Sequence, residues 1–349
     1  MKDHHLASLR IYHQQIYHQQ FKKPEEVVKY MVAMQAQDYA GAKWAVGLRM
    51  QNPKEGEIEQ AITDGNILRT HLLRPTWHFV SPHDIRWILA LTAPRINAIN
   101  ASYNKKFELN DAVFSKSNDL LANALQGNKQ LTRPELVDLF NGAGIVTDDL
   151  RFTLLLMRAE LDQVICSGAR AGKQFTYALL DDRAPAAVTL KHEEALTRLA
   201  SGYFASRGPA TVHDFAIWAG LTVTEAGVAL ENIKPELISE TIYNKVYWMP
   251  AYIPPTTAQK NRAYLLPAFD EFAIAYKDRD AAVNPLYLKQ ARHVIFDPAV
   301  IVDDQVAGTW KRTIKKNSVE VNLNLFGQLN KTQSKAVEAA VEAYRKFLS

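Results

Sequence analysis

Sulfur chemistry is nearly absent from this sequence. Its one cysteine, Cys166, can form no intramolecular disulfide and has no second thiol with which to build a zinc ribbon, which fits a reducing compartment. Long apolar runs are missing as well: no uncharged stretch approaches the roughly 20 residues that span a bilayer, and the opening Met-Lys-Asp-His-His carries no apolar signal region. The expectation is a cytoplasmic protein without a membrane partner. Neither sign of charge dominates, with 41 Lys and Arg against 37 Asp and Glu, so a polyanionic partner would have to be met by local clusters rather than by the field of the whole molecule. What the chain has is size. At 349 residues and 47% hydrophobic it exceeds the roughly 100–200 residues of one domain, and two or three cores or one composite body are expected.

Gln35-Ala36-Gln37 lies inside Met34-Gln-Ala-Gln-Asp-Tyr-Ala-Gly-Ala-Lys-Trp44. Two amides at i, i+2 cannot share a helix face, so they belong where a helix ends or the chain runs extended. Such a pair can hold a water between two carbonyls, or it can cap exposed backbone. Both readings stand at this level.

An order of elements recurs along the chain. Leu131-Thr-Arg-Pro-Glu135 has the Thr-x-x-Glu form that starts a helix ending near Asn141-Gly142. From Asp149 the apolar residues Leu150, Leu154, Met157 and Leu161 predict a second helix to about Asp162. Val164-Ile-Cys166 and Phe175 to Leu179, separated by a Gly-containing turn, then read as a hairpin. Helix, turn, helix, hairpin is the order of a winged helix. It returns with Thr211-Val-His-Asp214, Gly220, Thr222-Val-Thr-Glu225 and a hairpin over Leu237–Thr241 and Val246–Met249. Near the N-terminus Pro24 opens a helix carrying Val27, Val28, Met31 and Met34, a second helix runs from Glu57 to Asp64, and Ile67 to Val80 is extended. Ser81-Pro82-His-Asp84 then caps a further helix with proline at its first position. Recurrence of an order points to repeated units. The basic clusters Arg292-His293, Lys311-Arg312 with Lys315-Lys316, Lys277 with Arg279, and Arg158/Arg170/Lys173 fall near the expected hairpins, where a winged helix meets a groove.

Four blocks carry a family resemblance: Gln35 to Trp44; Leu68-Arg-Thr-His-Leu-Leu-Arg-Pro-Thr-Trp-His-Phe-Val80; Ser206-Arg-Gly-Pro-Ala-Thr211 with Asp214-Phe215 and Trp218; and Leu265-Leu-Pro-Ala-Phe-Asp-Glu271 followed by Tyr276-Lys-Asp-Arg279. In this order they resemble the winged-helix DNA-binding family of bacterial AlkZ/YcaQ-type DNA glycosylases over nearly the whole chain. The resemblance implies a monofunctional glycosylase that removes alkylated purines, including those in interstrand crosslinks, from double-stranded DNA. It implies no metal or organic cofactor, a monomer, and a bacterial, nucleoid-associated setting. The family's Gln, apolar, Gln or Asp pattern maps onto Gln35, Ala36 and Gln37 as the catalytic residues. Arg74-Pro75-Thr76-Trp77 departs from better-known members, which often have Gly before the Thr, and this bears on lesion preference.

The remaining residues fit that expectation in different ways. His78 lies between Trp77 and Phe79 and points to the opposite face of an extended segment; the resemblance makes it a DNA or sugar contact. Arg69 and Arg74 suit phosphates, which guanidinium grips with a planar fork, and with Lys277, Arg279, Lys311 and Arg312 they are expected to line one phosphate-tracking groove. Asp270, Glu271, Asp278 and Asp280 could hold magnesium, but interruption by Lys277 and Arg279 favours ion-paired carboxylates. His4, His5, His13 and His18 read as a polar helix face, not a metal site. The expected fold is α+β and predominantly helical, with three tandem winged-helix units at 1–125, 126–190 and 191–255 in a C-shaped body closed by a sheet and helix at 256–349. The rival is a non-catalytic winged-helix regulator, although no separate effector domain or coiled coil is visible.

Overall fold

A computed structural model describes residues 3–251, 261–293, 296–315 and 318–349. Lys316, and the side chains of His4 and His293, lie outside the described residues. The chain opens with α1 (Asp3–His13), α2 (Pro24–Tyr30), β1 (Ala33–Gln35), α3 (Tyr39–Gly47), α4 (Glu55–Thr63), β2 (Leu68–Leu72), β3 (Thr76–Val80), α5 (Ile85–Lys106) and α6 (Asp111–Ala124). Next come β4 (Leu131–Thr132), α7 (Arg133–Gly142), α8 (Asp149–Leu161), β5 (Ile165–Ser167), β6 (Thr176–Leu179) and α9 (Leu180–Arg183). A similar run follows in α10 (His192–Arg207), α11 (Val212–Ala219), α12 (Val223–Ile233), β7 (Leu237–Ile242) and β8 (Lys245–Pro250). The remainder is β9 (Ala263–Leu266), α13 (Glu271–Ile274), α14 (Leu288–His293), β10 (Ala299–Val302), β11 (Gln305–Ile314), β12 (Val319–Leu325) and α15 (Lys331–Phe347). The architecture is α+β and mostly helical, with small antiparallel sheets.

The helix starts follow local chemistry. Thr132, Thr211 and Thr222 each accept from the backbone N–H three residues on, while Glu135, Asp214 and Glu225 reach back to the capping residue's own N–H. Two otherwise orphaned donors are satisfied at each start. Other expectations are corrected. The helix opened by Pro24 stops at Tyr30, and Met34 lies in β1. The helix after Ser81 begins at Ile85 with Asp84 at its cap, so Pro82 sits in the preceding turn. The helix α3 escaped the sequence reading because its run of small residues, buried nearly all round, has no amphipathic period to reveal it. The first helix is no polar face: Leu6, Ala7, Leu9, Arg10 and His13 are all buried. Arg158 lies in α8, where it pairs with Asp162, and Arg292 lies in α14, so neither belongs to a hairpin.

The sheet that carries Gln35 and His78 has the order β1-β3-β2. Alternation sends Leu68, Leu72 and Val80 into a core shared with Trp87, Leu199, Tyr203, Phe215 and Trp218. Met34 and Phe79 point the other way, into a core with Trp44, Leu265, Val300, Trp310 and Tyr344. A third core gathers Phe114, Leu136, Phe140, Phe152 and Tyr177. The four-stranded sheet β12-β11-β10-β9 packs against α15. It is tied to α3 by Trp44, whose indole donates to the Leu265 carbonyl at 2.6 Å. Gly220 ends α11 at φ +67°, and a Cβ there would lie 2.0 Å from the Leu73 carbonyl oxygen, so the β2–β3 turn is seated directly on the end of α11.

Arg49 and Asp270 lock the N-terminal helices to the segment after β9. Both are buried, and two parallel N–H donors of Arg49 reach the two carboxylate oxygens at 2.9 Å. Removing one partner strands the other charge away from water. Arg49→Ala is expected to lower unfolding stability by about 3–5 kcal/mol in urea titration; a loss below about 1 kcal/mol would show that the lock is dispensable.

Candidate active site

The Gln-x-Gln stretch leaves β1 extended and reaches α3 through Asp38, which occupies the helix N-cap position. Gln35 is half-buried, Ala36 buried and Gln37 exposed. Three peptide groups of the stretch are held. The Gln35 N–H donates to Glu271 Oε1 at 2.9 Å, the Ala36 N–H to the Trp77 carbonyl at 2.7 Å, and the Ala36 carbonyl accepts from Arg69 Nε and Nη2 at 3.1 and 3.0 Å. The Gln37 amide oxygen accepts from the Trp77 N–H at 3.4 Å.

Glu271 is itself fully engaged. Arg207 Nε and Nη2 donate to its Oε2 at 2.9 and 2.7 Å, and the Trp218 indole donates to the same oxygen at 2.9 Å. Arg207 also donates to the carbonyls of Met31 and Ala33 at 2.9 and 2.7 Å. Burial pushes the Glu271 carboxyl up, but the Arg207 charge and hydrogen bond, the Gln35 N–H and the Arg74 charge together outweigh it and hold the group below the usual carboxylate range. It is therefore an ionised anchor whose oxygens face inward to donors.

Across the sheet the register sets Gln35 opposite His78, and His78 opposite Thr70. These three side chains share one face. His78 is completely buried, and its Nδ1 lies 2.8 Å from the Thr76 carbonyl; a carbonyl only accepts, so Nδ1 carries the proton and Nε2 presents a lone pair. Burial, then the nearby Arg74 charge, holds the imidazole well below its usual range. Several buried polar atoms in this patch have no hydrogen-bond partner among the described residues: Gln35 Oε1, Thr70 Oγ1, Thr76 Oγ1, His78 Nε2, and Arg74 Nε and Nη2. Buried polar atoms are ordinarily paired. Those in this patch gather around Gln35 and the β2–β3 turn.

Two expected DNA contacts are corrected. Arg69 is 7% exposed and spends its guanidinium on the Ala36 carbonyl, 4.1 Å above the Trp77 ring, so it supports the glutamines from beneath and grips no phosphate. Desolvation lowers its pKa to about 10. His78 offers no surface to a DNA strand because both faces of its sheet are covered. Arg74 lies close enough to Glu271, Arg207 and Arg279 to feel their charges, and burial lowers its pKa. Lys277 is exposed, and Arg279 is half-buried with Nε donating to the Ala273 carbonyl at 2.5 Å. Both line a cleft of about 870 Å³ with His213, Lys245 and Arg292. Lys311 is exposed on β11, and the neighbouring Arg312 donates to the Tyr344 hydroxyl at 2.5 Å. Arg74 and Arg279 are thus brought together, while Lys311 and Arg312 belong to a separate sheet. Asp270 and Glu271 are held by Arg49 and Arg207, Asp278 pairs with Lys245 and Asp280 with Arg292.

Arg207 and Trp218 were missed as parts of the site. Arg207 had a visible signal, as a lone charge ending an otherwise apolar helix stripe, but the sequence could not name its partner 64 residues away.

A family model described as DNA glycosylase AlkZ-like matches residues 28–347. A Streptomyces sahachiroi protein named interstrand DNA cross-link repair glycosylase is 22% identical over 312 residues, 82% of this chain and 81% of that one. The solved structure of Streptomyces sahachiroi DNA glycosylase AlkZ superposes with a TM-score of 0.80 at 20% identity, covering 99% of this chain and 96% of the other.

The buried neutral imidazoles fix a pH dependence. His13 is held down to about 4 by burial, and His78 is also held below its usual range by burial. The unfolded chain therefore binds protons that the folded chain refuses, and stability present above about pH 6.5 is lost as pH falls below it. Between pH 6 and 5, where carboxylates still contribute little, His78→Gln should flatten the slope of unfolding free energy against pH by about 1.4 kcal/mol per unit. An unchanged slope in urea titrations at those two pH values would mean that His78 folds protonated.

Proposed function

Because the chain belongs to the AlkZ-like DNA glycosylase family, and so to enzymes that hydrolyse N-glycosyl bonds in DNA repair, we propose that Gln35 and Gln37 position the attacking water for excision of cationic alkylated purines from duplex DNA. One observation carries this reading: Glu271, the carboxylate that reaches the stretch from the core, is consumed by Arg207, Trp218 and the Gln35 N–H, which leaves the half-buried Gln35 and exposed Gln37 amides to place a water. An amide is a poor base, so deprotonation of water cannot supply the driving force. The leaving group supplies it instead. An N7- or N3-alkylated purine already carries positive charge and departs neutral, leaving an oxocarbenium-like sugar that needs a placed water and electron-rich oxygens nearby. Asp38, exposed beside Gln37, adds a carboxylate at the rim.

The substrate reading extends to crosslinked bases, the substrate in the relative's name. A base tied to the opposite strand cannot swing fully out of the duplex into an enclosed pocket. The exposure of Gln37 suits attack on a base left largely within the helix. In this reading the protein works as a monomer in the bacterial cytoplasm near the nucleoid, and the three helix, helix, hairpin units serve as winged-helix units of a C-shaped body that follows the duplex. Arg74, Lys277, Arg279, Lys311 and Arg312 then meet phosphates.

Single-turnover excision of N7-methylguanine, with alkali used to reveal abasic sites, tests the catalytic assignment. Gln35→Ala and Gln37→Ala are each expected to slow excision by roughly ten- to a thousand-fold with DNA affinity nearly intact; wild-type rates in both would remove the amides from the mechanism. Substrate range gives a second check. N7-methylguanine and a bulky N7 adduct should be excised and uracil should not, since amides give little help to a neutral leaving group. Efficient uracil removal would sink the charge argument. For the phosphate contacts, Lys277→Ala and Lys311→Ala should each make the slope of log affinity against log salt shallower by about one, and a residue that leaves affinity and slope untouched belongs to a solvated face.

A further inference from the structure

We propose that His78 is a positioning residue for Gln35: its Nε2 lone pair accepts from the Gln35 amide NH2 and so turns the amide oxygen outward to the attacking water. The inference rests on the reading that Gln35 acts in excision, and adds a group that this reading does not use. An amide side chain has two ends of similar shape and opposite hydrogen-bonding character. Left alone, Gln35 could present either its oxygen or its NH2 to the groove, and only the oxygen can accept from water or face an oxocarbenium-like sugar. Something must select the orientation.

The register supplies the selector. Gln35 and His78 are direct cross-strand partners on β1 and β3, which brings their Cβ atoms to roughly 4.5–5.5 Å. His78 has no rotational freedom of its own, because Nδ1 is committed to the Thr76 carbonyl and the ring is fully buried. Its Nε2 is a buried acceptor without a partner among the described residues, and so is Gln35 Oε1. Two acceptors on directly paired residues repel where they meet. The arrangement is satisfied when the Gln35 amide turns its NH2 to the imidazole, which directs Oε1 away from the sheet. The catalytic hydrogen bonds of a free enzyme commonly tighten only when substrate is bound.

The selector must stay unprotonated, since an imidazolium would donate at Nε2 and draw the Gln35 oxygen inward. The surroundings enforce this. Burial disfavours the cation, and the charged groups that bear on the ring, Arg74 and Arg207, are positive, with His71 adding to them. Glu271, the carboxylate near this face, is spent on Arg207. Thr70 flanks His78 on β2, and its buried hydroxyl, also without a partner among the described residues, is the competing donor for the same lone pair.

Single-turnover excision of N7-methylguanine from duplex DNA, with His78→Leu, His78→Gln, Thr70→Val, Gln35→Ala and the His78→Leu/Gln35→Ala double variant, tests the proposal. His78→Leu should slow excision by about ten- to a hundred-fold with DNA affinity unchanged. His78→Gln, whose side-chain oxygen reaches the position of Nε2, should recover most of the rate. Thr70→Val should excise like wild type. The double variant should be no slower than Gln35→Ala alone, because a residue that acts through Gln35 has nothing left to act on once the amide is gone. The wild-type rate should show no imidazole inflection between pH 5.5 and 8, assay limits set to keep the protein folded. Multiplying effects in the double variant, an inflection near 6.5, or loss of rate in Thr70→Val equal to that in His78→Leu would each overturn the proposal. Should Gln35→Ala slow excision while His78→Leu does not, the role of Gln35 stands and that of His78 falls. Should Gln35→Ala itself excise at the wild-type rate, the underlying reading fails instead.

Discussion

The buried pair of Arg207 and Glu271 is the constraint on which the site depends. Arg207 closes α10 and holds the carbonyls on either side of residue 32, while Glu271, at the start of α13, holds the N–H of Gln35. One ion pair thereby fixes both ends of the strand that carries the first glutamine. Its net contribution to stability is modest, because taking two charges out of water offsets most of their attraction. Its effect is geometric. Because the pair grips backbone groups at both ends of β1, the strand has one register, and a one-residue slip would turn Gln35 from His78 toward the opposite face of the sheet.

Around that pair the molecule is divided by chemistry. Polar groups beneath the Gln-x-Gln stretch are committed inward: Arg69 to the Ala36 carbonyl, Glu271 to Arg207 and Trp218, Nδ1 of His78 to the Thr76 carbonyl. Uncommitted atoms gather on the Gln35 face of the sheet. A site of this kind offers placement rather than strong acids or bases, and placement suffices when the leaving group already carries the charge that drives its departure. Buried cationic groups nearby, Arg74 and Arg207, also keep the imidazole neutral.

Much of the fold was legible. The capping boxes at Thr132, Thr211 and Thr222 announce their helices because the relevant hydrogen bonds lie within three residues of each other, and the β5–β6 and β7–β8 hairpins follow from turn residues between short apolar runs. Elements whose environment is not local were hidden. The helix α3 is buried nearly all round because it lies between α2, α4 and α15, so it lacks the period that reveals a surface helix. The first helix looked polar from its histidines, yet it is buried against α10 and the segment around Asp280.

The glutamines were identifiable from sequence as a pair that no helix face could hold, and the structure sets them at the end of β1 and the approach to α3. Alternation along β3 likewise fixed the direction of His78 relative to Trp77 and Phe79 before any packing was known. Sequence could not decide whether Arg69 and His78 met solvent or core. An arginine beside an extended segment is chemically fit for a phosphate and equally fit for a buried carbonyl, and which one it meets depends on what covers the sheet. That cover comes from β5 and β6, from α10 to α12 and from the segment at Glu271, all remote in the chain. Local sequence therefore determined which backbone groups were capped and which side chains shared a face, because those relations span a few residues; only the tertiary structure decided whether Arg69, Arg207 and Glu271 were consumed, because their partners lie tens to hundreds of residues away.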